Sequence, residues 1–227
     1  VEFSVEEEEA LKFMYHTHSA RRVLIFLGKW KNIEEAAFEK IHWPDFASPN
    51  LSLKVEVENV KGIENRLAMA KKVAGKIFSS LDQQKLPLTI NVKNPDLYVV
   101  VYWNGKVYFV GIDLSGFELH SRDYRVFTHS ASCKGDLGYF FVRKSGFKPG
   151  NSLLVALVKD GVVAIEAALY AYALPVQRKK REQFSYSKFP LFHKVIHQHV
   201  SPSTPAKPIS AFDESQQNIL AARKNAQ

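Results

Sequence analysis

Two runs of β-branched and aromatic residues, LYVVVYW at 97–103 and KVYFVGI at 106–112, flank Asn104-Gly105 and predict a hairpin with those two residues as its turn. Before it, residues 60–81 repeat Leu67, Ala70, Val73, Ala74, Ile77 and Phe78 at steps of three and four, the stripe of an amphipathic helix. Arg66, Lys71, Lys72 and Lys76 fall largely off that stripe. Further upstream, the acidic run 6–9 leads into a helix at ALKFMY, and RVLIFLG at 22–28 predicts a strand. IEEAAFEKI, preceded by Asn32 as cap, predicts a helix with Ile33, Ala36, Phe38 and Ile41 on its apolar side. LSLKVEV at 51–57 alternates as a half-buried strand, and 88–92 predicts a short strand before the Asn94-Pro95-Asp96 turn. The order helix, strand, helix, strand predicts a small α+β sandwich.

Beyond residue 150 the pattern changes. NSLLVALVKDGVVAIEAALYAY predicts a buried strand at 153–158, a tight turn at 159–161 and a helix through 173. A strand turning through glycine into a helix is the opening unit of a doubly wound fold, whose ligand lies over the strand's carboxyl end and the helix N-terminus. ISAFD at 209–213 predicts a second strand ending in an acid, and 214–226 a helix with Ile219, Ala222 and Ala226 on one side. SPSTPAKP at 201–208 is a proline-rich connector. Between the halves, Gly135 and Gly138 each cost a helix about 1 kcal/mol relative to alanine, which predicts a loose connection.

Composition narrows the class. The chain has 227 residues, 46% hydrophobic and 24% charged, enough for one large or two modest domains with real cores. A single cysteine, Cys133, excludes an intramolecular disulfide and any multi-cysteine zinc site and suits a reducing compartment. No signal-peptide pattern and no apolar run of about 18 residues is present, so the expected location is cytoplasmic, without a membrane partner. The longest apolar stretch, 161–174, is interrupted by Glu166. Thirty-one basic against 23 acidic residues give +8, enough for a phosphate-binding surface. The basic residues of 60–81 then form either a solvated face or a clamp on phosphates. RKKR at 178–181, Lys188 and Lys194 make a second basic region. His193 and His197 share helical spacing with no acidic or cysteine partner, so no metal is expected. The aromatics of FSYSKFPLF, 184–192, suit either a flipped-out base or packing under a loop. A chain opening on valine and stopping just after a helical pattern reads as part of a longer protein.

Specific motifs add a family. IDLSG at 112–116, Leu119-His120 and RDYR at 122–125 resemble the LDLSG, LH, RGYR series that closes the THUMP domain of SAM-dependent RNA methyltransferases, with Ile112 and Asp123 as departures. SARRVL at 19–24 is similar to part of the RTA-x-RVL segment of the ferredoxin-like domain preceding THUMP, whose first strand is missing here. Gly161 and IEAAL at 165–169 resemble the second half of the first SAM motif, LLDP-x-CGSGT-x-x-IEAAL, whereas Val155, Ala156 and Lys159 replace its acid, proline and first glycine. Asp213 and ARKNA at 222–226 resemble the second SAM motif, in which the acid accepts hydrogen bonds from the ribose hydroxyls; Asp213 also suits a helix N-cap.

The chain thus resembles the N-terminal part of a guanine-N2-type THUMP RNA methyltransferase. That resemblance implies an α+β ferredoxin-like/THUMP N-terminal region followed by the start of an α/β Rossmann-like methyltransferase domain. Its expected boundaries are 1–50 for an incomplete ferredoxin-like region, 51–116 for THUMP, 117–150 for a linker and 151–227 for an incomplete methyltransferase domain. It implies RNA (tRNA or rRNA) on Arg66, Lys71, Lys72, Lys76 and Lys134, and S-adenosyl-L-methionine at Asp160, Gly161 and Asp213. No catalytic residue is assigned, because the family's Asp/Asn-Pro-Pro-Tyr/Phe motif is not among these residues. The alternative is a non-catalytic RNA-binding relative, favoured by Val155 and Lys159.

Overall fold

The computed structural model describes residues 2–195 and 207–227, without the side chains of residues 178, 179 and 181. His197, His199 and most of the proline-rich connector lie outside the described residues. In chain order the elements are α1 (Glu7–His16), β1 (Leu24–Trp30), β2 (Ser52–Glu58), α2 (Ile63–Gln83), β3 (Thr89–Ile90), β4 (Leu97–Trp103) and β5 (Tyr108–Asp113). They continue as α3 (Gly135–Lys144), β6 (Leu153–Ala156), α4 (Val162–Ala171), β7 (Ile209–Phe212) and α5 (Gln216–Asn225). Two units result: residues 22–117 with 182–195, and residues 1–21 with 118–181 and 196–227.

The first unit is built on a mixed sheet in the order β1-β5-β4-β2-β3. β2 runs parallel to β3 and β4, and β5 runs antiparallel to β4 and β1. β1, expected within a ferredoxin-like region, therefore hydrogen-bonds along β5 in this same sheet. α2 packs on β2, and Val73, Ile77 and Leu81 are buried together with the sheet residues Leu53, Val57, Val99, Val101, Val110 and Ile112. Burial of this apolar set, about 25 cal/mol per Å², is what holds the helix against the sheet.

Three local expectations are corrected here. The hairpin turn centres on Gly105-Lys106 rather than Asn104-Gly105: the Asn104 N–H donates to the Val107 carbonyl, and Asn104 Oδ1 accepts from the N–H groups of Lys106 and Val107, both 2.9 Å. Gly105 supplies the positive φ (94°) at the first central position, which glycine adopts without strain. Residues 33–41 are not a helix but two 3-10 turns, Ile33–Glu35 and Phe38–Lys40, with Asn32 capping the first. Their carbonyls are used elsewhere. Phe38 O accepts from Ser80 Oγ and Trp43 Nε1, and Ile41 O accepts from Gln84 Nε2, so the segment is laced to the C-terminal half of α2. Finally, the apolar stripe of α2 overruns its core, leaving Ile63 (67% exposed) and Leu67 (58%) in solvent.

Residues 182–195 return to this unit and finish it. Phe184, Tyr186, Phe189 and Phe192 are buried, so the aromatic segment packs. The N–H groups of Ser185 and Tyr186 donate to the carbonyls of Ser115 and Leu114. The close approach explains Gly116: a Cβ there would stand 2.1 Å from Ser185 Oγ, and its φ is +75°.

The second unit pairs β6 and β7 in parallel, Leu153 opposite Ile209 through Ala156 opposite Phe212. α4 carries no exposed residue and packs between two apolar clusters. One holds Tyr124, Val162, Leu169 and Val176; the other holds Val142, Phe147, Ala167 and Ala171. The expected loose connection is instead the helix α3, packed on α4. Its glycines face the contact: a Cβ on Gly135 would lie 2.4 Å from Arg122 Nε, and one on Gly138 2.7 Å from Val162 Cγ1. Backbone proximity outweighs their poor helix propensity.

Candidate functional site

In the second unit, chemistry concentrates where β6 and β7 end side by side. Between β6 and α4, Leu157, Lys159 and Gly161 all hold left-handed backbone, with φ of 54°, 51° and 91°. The turn is pinned by Val158 N–H to the Phe212 carbonyl and by Gly161 N–H to the Val158 carbonyl. Gly161 is the N-cap of α4, and a Cβ on it would meet Ala222 Cα of α5 at 3.1 Å. At such a helix start the first N–H groups of α4 have no intrahelical partner, and no side chain caps them.

Asp213 follows β7 directly. Its Oδ2 accepts from the Lys159 N–H (3.0 Å), and its Oδ1 from the Ser215 N–H (2.9 Å) and Asn218 Nδ2 (3.0 Å). The backbone donors at Lys159 and Ser215, with Asn218, hold this carboxyl below its usual range. The cap of α5 is Ser215, whose Oγ accepts from the Asn218 N–H, so Asp213 is not the N-cap. A carboxylate offers about four lone-pair sites, and three are filled.

Asp160 turns the other way. Its carboxylate is fully buried, accepting from Arg125 Nη2 (3.1 Å), the His129 N–H (3.3 Å) and Ser132 Oγ. Asn225 clips the same region: its Nδ2 donates to the carbonyls of Asp160 and Phe127, and its Oδ1 accepts from the N–H groups of Val126 and Phe127. Of the three expected cofactor residues, Gly161 and Asp213 stand at the turn, while the Asp160 carboxylate is buried among protein donors and its carbonyl is bound by Asn225.

A second set of residues escaped functional assignment in the sequence. Glu166 of α4 is fully buried, with Oε1 accepting from Arg122 Nε (2.7 Å) and the Tyr124 hydroxyl (2.8 Å). Oε2 lies 2.8 Å from His18 Nδ1, and Arg122 Nη1 donates to the Leu119 carbonyl. Burial and the neighbouring Glu166 charge push the Tyr124 phenol far above its ordinary value. The RDYR exit is therefore a latch, with Arg122 and Tyr124 on Glu166 and Arg125 on Asp160. The signals in the sequence were the RDYR motif itself and an acid inside an apolar run.

The expected RNA residues divide. Lys72 pairs with Glu34, and Lys76 Nζ donates to the carbonyls of Glu34 and Ala36, beside a shallow depression of about 230 Å³ lined also by Glu39, Ser79 and Gln83. Arg66 and Lys71 are exposed and have no protein partner among the described residues. Lys134 is exposed at the N-cap of α3, in the other unit. Among the described residues no group of three metal-ligating side chains exists, and no helix is long and apolar enough to cross a membrane.

Comparison with known proteins places two families on this geometry. Residues 31–113 match the THUMP domain, and residues 122–227 match the RMKL-like methyltransferase domain. Solved structures share the fold. A possible methylase from Clostridium difficile 630 superposes with a TM-score of 0.68 at 19% identity, covering 98% of this chain and 62% of that one. SMU.472, described as a methyltransferase and complexed with SAH, gives 0.67 at 17% identity, covering 95% and 61%. TrmN from Thermus thermophilus gives 0.63 at 19% identity, covering 100% and 57%. The chain spans about three fifths of the length of these structures.

Proposed function

We propose, on the premise that the chain joins a THUMP domain to part of an RMKL-like methyltransferase domain, that it is the RNA-gripping and first cofactor-binding portion of an RNA methyltransferase. Its donor is S-adenosylmethionine, and its target is a guanine exocyclic amine in tRNA or rRNA. The observation that carries the reading is Asp213, ionised and anchored by the Lys159 N–H beside a left-handed turn that opens α4.

The residues present fit the adenosine end of that donor. Asp213 keeps one lone-pair site for a ribose hydroxyl, Gly161 lets the chain turn close to a ligand, and the first N–H groups of α4 stand free of intrahelical partners. S-adenosylmethionine, when bound, supplies an electrophilic methyl group on a sulfonium. Around it this chain's own residues bind and orient: the Glu166–Arg122–Tyr124 latch fixes α4, and Asn225 ties α5 to the loop carrying Asp160. RNA phosphates dock on Arg66 and Lys71, where exposed cations release counterions from the backbone. A second reading, a non-catalytic RNA binder, is favoured by Lys159 and Val155 at positions where a sulfonium ligand gains nothing.

Calorimetry with the intact chain tests the cofactor reading. Heat of binding that Asp213→Ala abolishes is the expected result; no heat at millimolar S-adenosylmethionine removes the donor from the proposal.

A further inference from the structure

A lysine in left-handed backbone is strained, and such strain persists where the surroundings over-determine it. For Lys159 (φ 51°) both anchors are visible: its N–H donates to Asp213 Oδ2 and its Nζ to the Ala131 carbonyl, each at 3.0 Å. The side chain is thus held at the same turn whose backbone holds the ribose-facing acid. Its charge is not cancelled there. Ala131 offers a neutral carbonyl, and the adjoining Asp160 carboxylate is taken by Arg125, Ser132 and the His129 N–H. Lys159 has no carboxylate partner among the described residues.

We infer that Lys159 sets the charge preference of this nucleoside site, disfavouring a ligand that carries a sulfonium cation relative to the uncharged thioether of the same shape. The inference rests on the reading of the turn and Asp213 as a nucleoside site. S-adenosylmethionine and S-adenosylhomocysteine share adenine, ribose diol and amino-acid tail, and differ by one methyl group and one positive charge. The ratio of their affinities therefore isolates the electrostatic contribution. An uncompensated ammonium carried by the turn that holds the ligand weakens binding of a cation about three- to tenfold at low salt, and less as salt screens it. The site then holds the demethylated nucleoside better than the donor.

Titration calorimetry of both ligands against the intact chain, Lys159→Gln and Lys159→Gly, at low and high salt, decides it. Gln keeps most of the stem and removes the charge; Gly also releases the backbone strain and guards against a folding artefact. The expected outcome is a Kd ratio, methionine form over homocysteine form, about three- to tenfold larger in the wild type than in either variant, with the margin shrinking at high salt. An equal ratio in wild type and both variants overturns the inference while leaving the nucleoside site standing. Absence of heat from either ligand with all three proteins overturns the nucleoside reading and the inference with it.

Discussion

Arg122 Nε sits 2.7 Å from Glu166 Oε1, and both side chains are wholly shielded from solvent. Breaking a buried ion pair leaves an uncompensated charge, which costs about 3–5 kcal/mol. Glu166→Gln should therefore destabilise the chain by about that amount in urea unfolding, and Tyr124→Phe, which removes one hydrogen bond to the charged group, by about 1.5–3 kcal/mol. Arg122→Met combined with Glu166→Gln should cost much less than the sum of the two single changes. Additive effects would mean that the pair does not act as a unit.

Gly135 and Gly75 make opposite forecasts from the same substitution. Gly75, inside α2, has nothing within 4 Å of an added Cβ, so Gly75→Ala should stabilise by about 0.5–1 kcal/mol through helix propensity and a more restricted unfolded chain. At Gly135 the same methyl would lie 2.4 Å from Arg122 Nε and 2.8 Å from Glu166 Oε1. Overpacking of this kind costs about 1–3 kcal/mol, so Gly135→Ala should lower the thermal midpoint despite its better propensity.

Those two glycines also mark the limit of what the residue pattern can say. Periodicity reported α2, the β4–β5 hairpin and the β6–turn–α4 unit because each is a local hydrophobic pattern. It misplaced the hairpin turn by one residue, since Asn104 serves as a side-chain acceptor for the turn rather than as a central residue. It made 33–41 a helix, because nothing local records that Ser80 and Gln84, some 40 residues on, claim that segment's carbonyls. Asp213 and Gly161 were legible as motif residues, whereas the inward turn of Asp160 and the latch on Glu166 depend on partners 28 to 148 positions away. Charge pairs at such separations leave no periodic trace.

The segment 182–195 is held partly by a titratable tether, the Lys188–Asp96 ion pair. Burial raises the Asp96 carboxyl, but the bonds from Lys188 and Ser52 outweigh it and leave the group below its ordinary value. A carboxyl depressed in the folded state stabilises above its unfolded pKa, about 3.9, and loses that contribution as pH falls through the depressed value. The stability advantage of the wild type over Asp96→Asn should thus be constant from about pH 5 to 7 and vanish in stronger acid. Phe189→Ala, which empties a fully buried site, should instead cost about 3–5 kcal/mol at every pH.

The cations of α2 should separate into two kinds. Lys76 Nζ donates to the carbonyls of Glu34 and Ala36, and Lys72 pairs with Glu34, so both are committed to the 3-10 segment lying against the helix. Arg66 and Lys71 are exposed and have no protein partner among the described residues. Each phosphate neutralised by such a group contributes roughly 0.7–0.9 to the slope of log K against log salt. Arg66→Ala with Lys71→Ala should therefore weaken tRNA binding and flatten that slope by about 1.5, with the thermal midpoint unchanged. Lys72→Ala with Lys76→Ala should lower the thermal midpoint and change the slope less, because an ammonium already held by carbonyls and a carboxylate releases fewer counterions. Filter binding of tRNA across a salt series, beside melting curves of the same proteins, separates the two pairs. If Arg66 and Lys71 leave the slope untouched while Lys72 and Lys76 carry it, RNA meets the chain on the side of α2 that faces Glu34, and the assignment of the docking surface to the exposed pair is wrong.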